Sequence, residues 1–263
     1  MITLSKRLDT IASLVSSQHR VADIGSDHAL LPVYLLQSGK CPAAIAGELN
    51  EGPYKAACRQ VAAAGLQHKI QVRQGNGLDV LHQSEADTIT IAGMGGGLIR
   101  DILESGRAAG KLEGVRELVL QPNVGEELVR RWLVAHHWVL QAERIVLEDG
   151  KIYEIMHATA AKDEQEAAEA NGKLYHPGFW EQTYGQPLRP DLVVMMGPWL
   201  MRQPDAVWSR KWQGELAKLE HIQSQLSRSD LPESREKLMQ LQQDMNEIKE
   251  VLACLQTDTP SFN

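Results

Sequence analysis

Long apolar runs, cysteine pairs and surplus positive charge are all scarce in this chain of 263 residues. No stretch of apolar residues approaches the ~20 needed to cross a bilayer as a helix, so no membrane association is expected. Residues 1–17, MITLSKRLDTIASLVSS, carry charges where a secretion signal needs an unbroken apolar core. They are expected instead to form an amphipathic helix with Leu4, Leu8, Ile11 and Val15 on one face. The three cysteines, Cys41, Cys58 and Cys254, form no CxxC pair and are odd in number. Reduced thiols in a cytoplasm are the simplest reading, and no metal site is expected. The formal net charge is −7, which counts against indiscriminate nucleic-acid binding, because counterion release rewards a basic protein. That total does not exclude a local basic face.

What the chain does have is an alternation of short apolar runs with helical patterns. Strands are expected at 20–24 (RVADI), 43–49 (AAIAGEL), 69–74 (KIQVRQ), 86–92 (ADTITIA) and 116–121 (RELVLQ). Helices are expected near 30–39, 51–65, 96–106 and 125–136. This alternation implies an α/β fold, a parallel sheet covered on both faces. The stretch 138–158 then reads as two strands joined at Asp149-Gly150, an antiparallel hairpin closing the sheet edge. That arrangement is the one seen in Rossmann-like methyltransferases. Residues 1–160 are expected to form this domain, 161–203 a connector, and 204–263 a coiled-coil helical hairpin. Leu238, Leu241, Met245, Ile248, Leu252 and Leu255 recur at heptad spacing. Trp212, Leu216, Leu219, Ile222 and Leu226 make a looser partner stripe. Between the two stripes, Asp230 and Pro232 mark a break, with Glu233 completing a capping box.

The first strand–loop–helix, VADIGSDHALLP (21–32), lacks the GxGxxG that seats a dinucleotide pyrophosphate. Only Gly25 is present, and Asp27 stands where a further glycine is needed. A carboxylate repels a pyrophosphate and suits a cation, which argues for S-adenosylmethionine (SAM), with its sulfonium and ammonium, over NAD. A role for Ser26 or Asp27 in capping the next helix is the plainer reading. The second strand ends in Glu48, where an acid commonly binds ribose hydroxyls; an exposed glutamate at a strand end is the plain alternative. Asn76-Gly77, in GNGLDV, offers an amide or backbone to an adenine edge, or simply a turn. The fourth strand leads into IAGMGGGLI (91–99). It carries no (Asp/Asn/Ser)-Pro-Pro-aromatic motif of the kind that polarises exocyclic amino groups of bases. A bare floor of glycines and Met94 suits an acceptor with a ready lone pair, such as a ring nitrogen; close helix–strand packing is the alternative.

In this order and spacing, DIGSDHALLP, AGELNEGPYKAA, VRQGNGLDV, TIAGMGG and LVLQPN resemble the TrmK family, over about residues 2–160. GPWL (197–200) and the helical hairpin resemble the family's C-terminal region. The resemblance implies a bacterial SAM-dependent methyltransferase acting on N1 of adenine 22 in tRNA. The chain departs from the family pattern at Leu30, where a tyrosine is expected, and at Asn76, where aspartate is common. The candidate cofactor contacts are Asp23, Gly25, Ser26, Glu48, Leu49, Asn76, Gly77, Ala92, Gly93 and Met94.

Adenine N1 is largely unprotonated at neutral pH, so its lone pair can attack a methyl group without a strong base. The protein must supply position, a water-poor pocket and compensation for the charge arriving on the base. Asp27 is the candidate for that compensation or for holding the amino group, with His28 orienting it and Asn123 meeting the base edge. Gln121-Pro122-Asn123, at the end of the fifth strand, is expected where the acceptor base lies, with Pro122 walling the pocket; strand-end turn chemistry is the plain alternative. Lys6, Arg7, Arg100, Arg130 and Arg131 are candidate phosphate contacts. The hairpin is expected either to dock tRNA or to dimerise, with a monomer left open. A small-molecule methyltransferase and a non-catalytic nucleotide-binding module are the competing readings.

Overall fold

The computed structural model describes residues 1–185, 187–227 and 232–257. The chain divides into two compact units, Met1–Asn171 and Gly172–Asn263. In the first, seven strands form one sheet: β1 (Val21–Ile24), β2 (Ala44–Glu48), β3 (Ile70–Gln74), β4 (Thr88–Met94), β5 (Glu117–Pro122), β6 (Trp138–Glu148) and β7 (Lys151–Ala160). Their order is β3-β2-β1-β4-β5-β7-β6. β3 to β5 are parallel neighbours, and β7 pairs antiparallel with both β5 and β6. Every residue of β1, β2 and β5 is buried, as expected where helices cover both faces of a parallel sheet. Those helices include α1 (Lys6–Leu14), α2 (Leu30–Gln37), α3 (Glu51–Ala63), α4 (Gly96–Ala108) and α5 (Glu126–Ala135). The hairpin turn is where the Asp149-Gly150 signal put it, both residues having positive φ (48° and 75°).

β1 lies between β2 and β4, so chain connections leave it in opposite directions. The C-terminal ends of β1, β2, β4 and β5 therefore open onto one crevice, where open α/β sheets bind ligands. The opposite end of the sheet is closed by a polar knot around Glu117. Its carboxylate accepts from the Ser16 hydroxyl (2.6 Å) and amide (3.0 Å) and from Thr88 (2.6 Å), and it pairs with His157 Nε2 (2.8 Å). Burial alone would raise this carboxyl, but the bonds from His157, Ser16 and Thr88 override it and hold it at about 2.

The stretch expected as a connector is helical. It contains α6 (Glu164–Leu174), α7 (Pro177–Tyr184), α8 (Pro190–Met196) and α9 (Pro198–Arg202). Gly197 of GPWL ends α8 and precedes α9, with φ +88°. The second unit continues with α10 (Ala206–Leu226) and α11 (Pro232–Thr257), which pack on each other. Met245, Ile248 and Leu252 of the heptad stripe are buried, as are Trp212 and Leu216 opposite, whereas Ile222 is exposed. The break at Asp230 lies outside the described residues, as do the side chains of Glu233 and Leu255.

Candidate active site

The loop after β1 is the most strained stretch in the crevice. Asp27, His28 and Ala29 take positive φ in succession (37°, 66° and 56°). Such non-glycine residues cost of order 1 kcal/mol each and concentrate at functional sites. The loop is tied to β2: the Gly25 amide donates to Gly47 O (2.9 Å) and the Asp27 amide to Glu48 Oε1 (2.5 Å). Neither Ser26 nor Asp27 caps α2, whose N-cap is Ala29 without a side-chain bond. The Ser26 hydroxyl turns back instead to the buried Asp23 (2.5 Å), which also accepts from Thr90 (2.5 Å). Burial pushes the Asp23 carboxyl above its ordinary range, opposed by those two hydroxyls and by the charge of Arg7. Glu48 is raised as well, first by burial, then by Asp23 and Asp27, against the Asp27 amide and His28.

Three carboxylates thus face one crevice: Asp23 and Glu48 buried, Asp27 with its side chain 83% exposed. His28 Nε2 lies 3.4 Å from Asp27 Oδ1, in place to orient it. A Cβ added to Gly25 would sit 2.2 Å from the Met94 methyl, so the end of β4 folds directly over the first loop. Asn76 is exposed and precedes a 3-10 turn at Gly77–Val80, and Leu49 is exposed beside Glu48. Leu30, at the position expected to hold tyrosine, is half-buried at the start of α2.

At the β4 end, the strand bulges: Ala92 pairs with Gln121 but Met94 with Pro122, leaving Gly93 (φ +78°) unpaired and exposed. A glycine is required by that φ. Asn123 stands beside the bulge, its amide donating to Met94 O (2.7 Å) and its Nδ2 to Gly93 O (2.8 Å). The Gly96 amide donates to Val124 O (2.7 Å), so the β4–α4 and β5–α5 loops are welded together by backbone. Val124 and Leu98 carry apolar side chains on these loops, 67% and 54% exposed.

The structure brings Asp23, Gly25, Ser26, Asp27, Glu48, Ala92, Gly93, Met94 and Asn123 to neighbouring strand ends. Of the candidate phosphate contacts, Arg130 is a correction. It is fully buried on α5, paired with Glu143 Oε1 (2.6 Å) and with Glu154, because α5 packs on β6 and leaves it no path to solvent. Arg100 pairs with Asp101 (2.8 Å), and Lys6 and Arg131 are exposed. Of the two further site builders, Gln121 is the one expected at the acceptor side together with Pro122 and Asn123, whereas sequence reasoning missed Thr90. The signal for the first lay in a polar residue following the apolar run Leu118–Leu120 of β5.

The residues fit SAM. Gly25 and Gly47 keep the crevice free of side chains at the ends of β1 and β2, where a Cβ would press on the Met94 methyl (2.2 Å) and on Val80 (2.9 Å) respectively. Buried and exposed carboxylates suit a zwitterion with an added sulfonium charge. Sheet order, acidic first loop and glycine-bare fourth strand together define a Rossmann-like SAM-dependent methyltransferase. A model of the family "TrmK: tRNA (adenine(22)-N(1))-methyltransferase" matches residues 21–250. The chain belongs to the TrmK family. It is 41% identical over 252 residues to the tRNA (adenine(22)-N(1))-methyltransferase of Bacillus subtilis (strain 168), covering 95% of this chain and 98% of that protein. The crystal structure of the B. subtilis TrmK tRNA methyltransferase superposes with a TM-score of 0.84 at 40% identity, over 96% of this chain and 100% of the other. A Streptococcus pneumoniae protein solved in complex with S-adenosyl-L-methionine gives a TM-score of 0.76 at 39% identity, over 95% of this chain and 100% of the other.

Proposed function

We propose that this protein transfers a methyl group from S-adenosylmethionine to N1 of adenine 22 in tRNA. The observation that carries the reading is the Gly93 bulge: an exposed, side-chain-free floor beside Met94, in a chain whose family carries that activity. SAM supplies an electrophilic methyl carried on a sulfonium. Glu48 Oε1 is spent on the Asp27 amide, and its second oxygen is assigned to the ribose hydroxyls. Asp23, Ser26 and Gly25 shape the methionine side of the cofactor pocket. Leu49, Asn76 and Gly77 border the adenine, and Ala92, Gly93 and Met94 border the methyl.

At the acceptor, no side chain has to remove a proton from N1 before attack. Asp27, exposed and paired with His28, faces the base as it gains positive charge, and its carboxylate stabilises that charge. Asn123 meets the base edge. The bulge itself carries no side chain and no Pro-Pro-aromatic acceptor motif, which favours a ring nitrogen over an exocyclic amine. The Watson–Crick edge must be unpaired to reach it, so recognition depends on tRNA shape. The C-terminal helices α10 and α11 supply docking for that large substrate, and the protein works in the cytoplasm.

Replacing adenine 22 by guanosine in a transcribed tRNA tests this. Labelled SAM should then deliver no methyl group, against full incorporation with the unaltered tRNA. Equal incorporation in both would refute the assignment.

A further inference from the structure

One side chain from outside the sheet reaches the acceptor floor. Gln121 is fully buried at the end of β5. Its Oε1 accepts from the Gly93 amide (3.1 Å) and from Arg7 Nη1 (2.5 Å). Its Nε2 donates to Pro122 O (2.8 Å) and to Asn123 Oδ1 (3.1 Å), and Asn123 Nδ2 closes the ring onto Gly93 O (2.8 Å). A guanidinium and a backbone amide can only donate, and a backbone carbonyl can only accept. The orientation of both side-chain amides therefore follows from their partners. Asn123 turns its oxygen inward to Gln121 and its amino group toward Gly93, leaving one N–H unspent.

Arg7 is itself held from two sides. Its amide donates to Glu148 Oε1 (3.0 Å) at the end of β6, and its guanidinium lies 5.3 Å from the ring centroid of Tyr153 in β7. A Cβ built on Gly93 would lie 3.7 Å from Arg7 Nη1, which places the guanidinium alongside the bulge. Lys6, its neighbour on α1, is exposed, whereas Arg7 is half-buried.

We infer that Arg7 is a positioning residue for methyl transfer: acting through Gln121, it fixes the Gly93 bulge and Asn123 against which the acceptor base lies. It does not contact tRNA phosphate. This rests on the methyltransferase reading above. Its consequence is that α1, outside the strand–helix alternation, sets the geometry of the acceptor side, while the bonds of Arg7 run to Gln121 and Glu148 and none to Asp23 or Glu48.

The test uses the full chain with Arg7→Met, which keeps the side-chain stem over Tyr153, together with Gln121→Leu and the double variant. Readouts are kcat and KM with transcribed tRNA, SAM affinity by calorimetry, and the salt dependence of tRNA binding. Arg7→Met should lower kcat by about 10-fold or more, since small displacements of reacting groups are costly. SAM affinity should stay within roughly threefold, which also reports that the fold is intact, and the salt slope should not change. The double variant should be no slower than Gln121→Leu alone, because residues acting in one chain are not additive. An unchanged kcat with raised KM and a salt slope reduced by about one would make Arg7 a phosphate contact and overturn the inference. Additive losses in kcat would overturn it too. If the unaltered protein delivers no methyl group to tRNA, the functional reading itself fails, a result distinct from either.

Discussion

Alanine at Gly96 is expected to disable the enzyme, while alanine at Gly97 is expected to leave it working. A Cβ at Gly96 would sit 2.0 Å from Gly125 O and 2.7 Å from Gly125 C, both backbone atoms that no side-chain rotation can clear. Ordinary contact begins near 3.4 Å, so the β5–α5 loop must retreat by at least about 1.4 Å. That retreat breaks the 2.7 Å bond from the Gly96 amide to Val124 O and drags Asn123, one residue before Val124, away from the Gly93 bulge. Displacement of catalytic groups by ~1 Å costs on the order of 100-fold in rate. A buried amide left without its acceptor costs about 1–3 kcal/mol, and overpacking about as much again. For a chain of this size the melting temperature should fall by of order 10 °C. At Gly97 the added Cβ meets only Leu128 Cδ1 at 3.8 Å, so the same substitution should be tolerated or slightly stabilise α4. The assay is turnover of labelled SAM on tRNA, with melting followed by circular dichroism. Wild-type kcat and melting temperature in Gly96→Ala would refute the welded-loop account.

Glu48→Gln should weaken SAM binding by roughly tenfold, the order expected for a charged hydrogen bond in a cleft, with little effect on melting; unchanged calorimetry would remove Glu48 from the cofactor site. Asp27→Asn should lose kcat by more than any change in SAM affinity, and full turnover would end its charge-compensating role. Glu117 is held at about 2, well below its ordinary value of 4.5. The stabilisation it gives is therefore complete above about pH 4.5 and is lost as pH falls through 2, about 3 kcal/mol in all. Urea unfolding between pH 5 and pH 2 should show that loss in the native chain and not in Glu117→Gln; parallel curves would contradict it. Arg130→Met leaves Glu143 and Glu154 together in the core and should cost about 3–5 kcal/mol in denaturant unfolding, whereas replacing all three by apolar residues should recover much of it. Wild-type stability in Arg130→Met would show that the buried triad does not hold α5 to the hairpin.

The sheet was legible because its strands are short apolar runs between amphipathic helices, and because Asp149-Gly150 allows few structures other than a tight hairpin. The convergence of the candidate residues was legible for the same reason: with β1 between β2 and β4, and β4 beside β5, Asp23, Glu48, Gly93 and Asn123 stand at neighbouring strand ends. The helices of 161–203 were less so, although their signals are present. Asp163 caps the Glu166 amide (2.8 Å) while Glu166 returns to the Lys162 amide (2.7 Å) at the start of α6. Pro177, Pro190 and Pro198 each stand at the first turn of a helix, where proline starts a helix rather than breaking a chain. The roles of Arg7 and Arg130 had no local signal. Arg7 finds Gln121 114 positions away, and Arg130 finds two carboxylates on the closing hairpin. Charge alone made both look like surface residues, and only tertiary packing distinguishes them.

At the bare Gly93 floor, the methyl group of SAM passes to a ring nitrogen of adenine. Digestion of tRNA treated with labelled SAM, followed by nucleoside separation, tests it most directly. All label is expected in 1-methyladenosine. Label in N6-methyladenosine would contradict it.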